Sequence, residues 1–146
     1  MTDNVSHTSV LVGFDGSAGA QRALGWAIEA ARRAGAPLRL LMAVPVGNGS
    51  HQDRYHEVLA AAQEIVGLAV AEVRLGEPWL RVDGTVRRGR PADVLIRAAR
   101  DADLVVVGRR RRHEVMDPRL GSVSTDVCAH AHCPVVVVPP EWAGRP

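Results

Sequence analysis

The sequence predicts a single doubly wound α/β domain, a five-stranded parallel sheet with helices on both faces, and three observations lead there. Short apolar runs alternate with longer stretches whose apolar positions repeat about every 3.6 residues. Gly, Pro, Asp and Ser punctuate the junctions, which gives strand and helix in strict alternation, the pattern of a parallel sheet wound by helices. A chain of 146 residues, 47% apolar and 23% charged, is enough for one core and short for two.

Ser9 to Phe14 (SVLVGF) reads as a buried strand ended by the turn residues Asp15 and Gly16. Ser17 caps the next helix, in which Ala20, Ala23, Leu24, Ala27, Ile28, Ala31 and Ala34 keep the helical period up to Gly35. Leu38 to Val44 (LRLLMAV) is the second strand, stopped by Pro45, and the Gly/Ser/His stretch from Gly47 to Gln52 is a loop. A second helix runs from about Asp53 to Leu75. Trp79 to Val86 (WLRVDGTV) is the least regular strand, because Asp83 and Gly84 interrupt it, which puts it at or near an edge. Arg90, Pro91 and Asp93 open a third helix, with Pro near its first position, that continues to about Arg100. Leu104 to Val107 is an uninterrupted apolar run suited to the middle of a parallel sheet. The thirteen residues from Gly108 to Leu120 show no clear period, a short helix follows from Gly121 to about Ala131, and Pro134 to Val138 is the last strand. The polar residues 1–7 read as a tail, 8–139 as the domain and 140–146 as a second tail, with no internal repeat.

All eighteen basic residues are Arg. Without Lys there is no phosphate-binding lysine of a Walker loop, no Schiff base and no lysine general base. A net charge of +2 does not imply a nucleic-acid partner, and aromatics at 3% give few surfaces on which bases would stack. The charge is unevenly placed: residues 87–112 hold nine Arg against three Asp. No stretch approaches the roughly 20 apolar residues of a membrane span, and the polar start lacks the form of a signal peptide. Two cysteines, Cys128 and Cys133, do not make a disulfide framework, so a cytoplasmic location is expected.

Five strands in such a fold commonly take the order 3-2-1-4-5, with a ligand crevice where strands 1 and 4 part, outside their carboxyl ends. Strand 1 ends at Phe14-Asp15-Gly16-Ser17 and strand 4 at Gly108, where the most irregular loop begins. Gly108 has no side chain to hold a ligand off the backbone. At the far end of the loop, the first amides of the helix, on Gly121, Ser122, Val123 and Ser124, form an anion site, and the hydroxyls of Ser122 and Ser124 add donors. Arg109, Arg110, Arg111 and Arg112 lie between, each able to meet phosphate oxygens. The same arginines also read as a solvated, self-repelling loop or, with less support, as an RNA patch.

Here the sequence resembles the universal stress proteins, over about residues 8–139. The family's adenine-nucleotide motif is Gly, two residues, Gly, nine residues, Gly, then Ser or Thr. Gly108, Arg111, Gly121 and Ser122 occupy its four places with the spacing intact. VGFDGS with Asp15, DLVVVG ending at Gly108, GSVS from Gly121 and CPVVVVP from Cys133 complete the likeness. The resemblance implies that Asp15 holds the nucleoside end of ATP, that the backbone around Val44 faces the adenine, and that Gly108, Gly121, Ser122 and Val123 surround ribose and phosphates, with Mg²⁺ on the phosphates. Arg111 departs from the pattern: where the family has glycine, a side chain either blocks the pocket or turns its guanidinium to the phosphates. Asp15 has a second reading, as a helix cap together with Ser17.

Other constellations are weaker. Cys128, His130, His132 and Cys133 suggest zinc, but they straddle a helix end and a strand start and need not converge. His113-Glu114 fails as a zinc-protease motif because Asp117 and Pro118 follow, and no nucleophile elbow occurs. The glycines of Gly13 to Gly19 lack dinucleotide-fingerprint spacing, and strand 2 ends without an acid for a ribose. The last strand, with Val135, Val136, Val137 and Val138, is an exposed edge in this order. Family members commonly dimerise by pairing it across a two-fold axis, which the valines fit; the other reading has the tail cover it through Trp142. The function expected is an ATP-binding, homodimeric stress-response regulator with at most slow hydrolysis, since no general base is aimed at a γ-phosphate. The alternative is a non-nucleotide interaction protein of the same fold in which Arg111 occludes the pocket.

Overall fold

Along each strand alternate side chains take opposite faces of the sheet, and here both faces are apolar, so each needs a helix layer. The computed structural model describes residues 9–46, 52–109 and 121–144. Its strands are β1 (Val10–Gly13), β2 (Leu38–Val44), β3 (Val82–Arg88), β4 (Leu104–Gly108) and β5 (Val135–Val138). Its helices are α1 (Ala18–Ala34), α2 (Gln52–Gly76), α3 (Pro91–Ala98, followed by a 3₁₀ turn) and α4 (Ser122–His130). The sheet is parallel throughout, in the order β3-β2-β1-β4-β5 that the alternation predicts.

Val10, Val12, Leu38, Leu40 and Val106 pack beneath α1 and α2, while Leu11, Leu41, Val105 and Val107 pack beneath α3 and α4. Right-handed crossovers require this division. The chain steps from β1 to β2 to β3 in one direction, which leaves α1 and α2 on one face, then returns past β1 to β4 and β5 with α3 and α4 on the other. Among the described residues no helix is long and apolar enough to cross a membrane.

Local chemistry sets the helix ends. The Ser17 hydroxyl accepts the Ala20 N–H at 3.2 Å, and Gly35 closes α1 with φ 62°, a left-handed conformation that favours glycine. Pro91 opens α3, where a missing N–H costs no helical bond.

β3 lies at an edge, as its composition suggests, but three residues further along than the apolar run beginning at Trp79. Trp79 is 97% exposed. Gly84 does not interrupt the strand; it lets α2 approach. A Cβ there would stand 2.9 Å from Cγ2 of Val70 and closer still to Cγ1 of Val66. Asp83 points outward and accepts from Arg39 Nε on β2 at 3.3 Å. At the other edge, Trp142 folds back onto α1 beside Gly25 and joins Val136 and Val138 in the apolar cluster, so the tail covers one face of β5.

Candidate functional site

At the sheet centre β1 and β4 run side by side, Val12 opposite Val106, and the chain leaves their carboxyl ends in opposite directions. That divergence opens the crevice at a switch point. On the β1 side, Phe14 N–H donates to Leu41 O at 2.9 Å, and the chain then turns sharply through Gly16 at φ 80°. The exposed Asp15 makes that turn: its Oδ1 accepts the Ser17 N–H at 2.9 Å. Asp15 therefore shapes the entry to α1, the second role read for it, while its position beside the crevice is kept.

On the β4 side, α1 fills the space that a Gly108 side chain would take. A Cβ on Gly108 would stand 2.6 Å from the carbonyl carbon of Gly19 and 3.2 Å from its Cα, so the backbone of α1 by itself makes glycine necessary here. Arg109 N–H donates to Val138 O at 3.0 Å, which carries the pairing with β5 one residue beyond the strand. Arg111 and the rest of 110–120 lie outside the described residues.

The N-terminus of α4 begins at Gly121, extended at φ −63° and ψ 163°, and among the described residues no side chain caps it. Thr125 N–H donates to Gly121 O at 2.9 Å, closing the first turn, so the amides of Ser122, Val123 and Ser124 precede the first helical bond. Among the two hydroxyls expected to donate, Ser122 is exposed but Ser124 is buried, with 4% of its surface accessible. Ser124 can thus serve the anion site through its backbone rather than its hydroxyl.

Val44 ends β2 buried, in register with Arg88, and its carbonyl accepts the Gly89 N–H at 2.9 Å. That carbonyl is engaged, while the exposed Val46 just beyond offers an apolar side chain. Sequence reasoning missed the neighbour of this corner. The Arg88 guanidinium lies 4.5 Å above the ring of Tyr55 on α2, a cation–π pair at the carboxyl end of β3. The excess of arginine over residues 87–112 signalled one partner; nothing local signalled the other.

Cys128 is exposed on α4 and Cys133 half-buried before β5, and among the described residues no three His, Cys, Asp or Glu side chains gather as a metal site. Burial, and secondarily the charge of Asp103, push the Cys133 thiol above its ordinary pKa.

The sequence profile of the universal stress protein family matches residues 7–139. The chain belongs to that family. A universal stress protein of Mycobacterium tuberculosis is 36% identical over 142 residues, covering 94% of this chain and 50% of its own length. The chain thus spans about half the length of the curated relatives it matches first. Among solved structures, a universal stress protein of Archaeoglobus fulgidus in complex with dAMP is 25% identical with a TM-score of 0.68, covering 90% of this chain and 97% of its own. A universal stress protein in complex with cAMP is 25% identical with a TM-score of 0.69, covering 90% of this chain and 96% of its own.

Proposed function

We propose that this universal stress protein binds an adenine nucleotide in the crevice at the carboxyl ends of β1, β2 and β4, with ATP carrying Mg²⁺ as the ligand, and serves as a homodimeric stress-response regulator. The observation that carries the reading is the first turn of α4. Three amides, uncapped by any side chain among the described residues, sit at the positive end of a helix where the family motif ends, which is the chemistry that receives phosphate. The related proteins in complex with dAMP and cAMP support the ligand class, since both ligands combine adenine with one phosphate.

In this reading the base lies toward Val44 and Val46, the nucleoside beside Asp15, and the phosphates against Ser122, Val123 and Ser124, with Arg109 and Arg111 adding guanidinium donors. Gly108 acts indirectly: by letting α1 seat against β4 it sets the width of the crevice. The cation would arrive on the phosphates of the nucleotide. In this reading turnover is slow at most.

Purified protein is denatured and its supernatant assayed for adenine nucleotide, then ATP, AMP and adenosine are titrated into nucleotide-free protein by calorimetry. Bound nucleotide, or saturable heat with ATP, is the expected result. Neither carry-over nor heat at millimolar ATP overturns the reading in favour of the interaction protein in which Arg111 fills the pocket.

A further inference from the structure

Helix α2 carries apolar side chains on two faces. Ala62, Val66, Ala69, Val70 and Val73 are buried toward β2 and β3. Val58, Ile65, Leu68 and Leu75 are exposed, Leu68 at 60% and Leu75 at 84%. With Ala61 and Glu72 they fill positions 58, 61, 65, 68, 72 and 75, alternating steps of three and four that reproduce the a and d positions of a coiled coil. Trp79, in the turn just past the helix end, is exposed as well. Among the described residues, Val46 is the single exposed large apolar side chain outside this run.

Two properties of the stripe suit a second copy of this chain. It reads alike from both ends: Val58 and Leu75 are equidistant from the midpoint between Val66 and Gly67, and so are Ile65 and Leu68, and Ala61 and Glu72. A helix running antiparallel about a two-fold axis through that midpoint would set Val58 on the partner's Leu75 and Ile65 on the partner's Leu68. The ends are complementary as well. Arg54, exposed before Val58, would meet the exposed ring of the partner's Trp79, a favourable cation–π contact, with the partner's Glu77 close by. Glu72, the charged member of the seam, would face the small Ala61 of the partner subunit, leaving room for its carboxylate to reach solvent. A polar residue at one seam position sets register at a cost in stability.

We infer that the exposed stripe of α2, from Val58 to Leu75, together with Trp79 in the turn beyond it, is an interface with a second copy of this chain, formed as an antiparallel helix pair. The surface covers β2 and β3, at the opposite end of the sheet from β5, so it is separate from a contact through the terminal strand.

The register is tested by disulfide trapping of the full chain. The double variant Val58→Cys/Leu75→Cys should form a covalent dimer under mild oxidation. Val58→Cys alone should stay at the level of the parent chain with its two native cysteines, because equivalent sites would lie about 26 Å apart along the helices. In a Val136→Arg background, which removes the terminal-strand contact, Leu68→Glu should lower the sedimenting mass with an unchanged far-ultraviolet spectrum. Trapping no greater in the double variant than in the single one, or a mass indifferent to Leu68→Glu, overturns the inference, and binding of an unrelated helix in place of a second copy does the same.

Discussion

Gly108 and Gly19 meet backbone to backbone: a Cβ on Gly108 would lie 2.6 Å from the carbonyl carbon of Gly19, while one on Gly19 would lie 3.2 Å from Arg109 O. The asymmetry matters. Both obstacles are main chain, but a Cβ on Gly108 would lie deep inside contact distance, whereas one on Gly19 needs a relief of only a few tenths of an ångström. The contact ties the first turn of α1 to the end of β4, and these two elements bound the crevice.

Gly108→Ala should therefore destabilise by about 1–3 kcal/mol, the range for overpacking. Gly19→Ala should be close to neutral, because a gain in helix propensity of up to about 1 kcal/mol offsets the tighter contact. Urea denaturation of the two variants measures both; equal losses would contradict the geometry.

Gly84 and Val66 make a second such pair, but with a side chain as the obstacle. Gly84→Ala should destabilise, and adding Val66→Ala should recover part of the loss, with a coupling above about 0.5 kcal/mol in a double-mutant cycle. Additive losses would show that β3 moves away instead.

If the β5 edge pairs with its mate, Val136→Arg should convert dimers to monomers in sedimentation, with the far-ultraviolet spectrum preserved. An unchanged mass would remove β5 from the interface. Trp142 covers one face of the strand beside α1 but leaves the hydrogen-bonding edge as the sheet boundary.

Arg111→Ala should weaken ATP about tenfold or more, the loss of a charge-assisted hydrogen bond, while adenosine binding stays the same. Equal weakening of both ligands would point to a packing role, and tighter ATP binding to occlusion.

Iodoacetamide should modify Cys128 before Cys133. The thiolate is the nucleophile, and the raised pKa of Cys133 leaves a smaller thiolate fraction at neutral pH, so its modification should keep increasing to higher pH than for an ordinary exposed thiol. Peptide mapping by mass spectrometry across a pH series follows each site; faster labelling of Cys133 at neutral pH would contradict the placement.

The order of the elements was legible because each depends on its own residues. Apolar runs cannot avoid burial, Ser17 and Gly35 cap α1 wherever it packs, and right-handed crossovers leave few ways to wind the sheet. The placement of Asp15, Val44, Gly108, Gly121 and Ser122 at or beside strand and helix ends was legible too, since turn and cap residues mark those ends. Tertiary structure decided what depends on a partner. β3 starts at Val82 rather than Trp79 because β2 offers a partner from Leu38 onward, the two strands pairing residue for residue from Leu38↔Val82 to Val44↔Arg88. Gly84 looks like a strand breaker and Gly108 like a ligand seat, and nothing in either local pattern records that a helix presses on the sheet at both points. Arg88 and Tyr55 come together from 33 positions apart in the chain, and no local pattern records that meeting. A residue's own chemistry states what it can do, but distance to another backbone decides which of its roles is used.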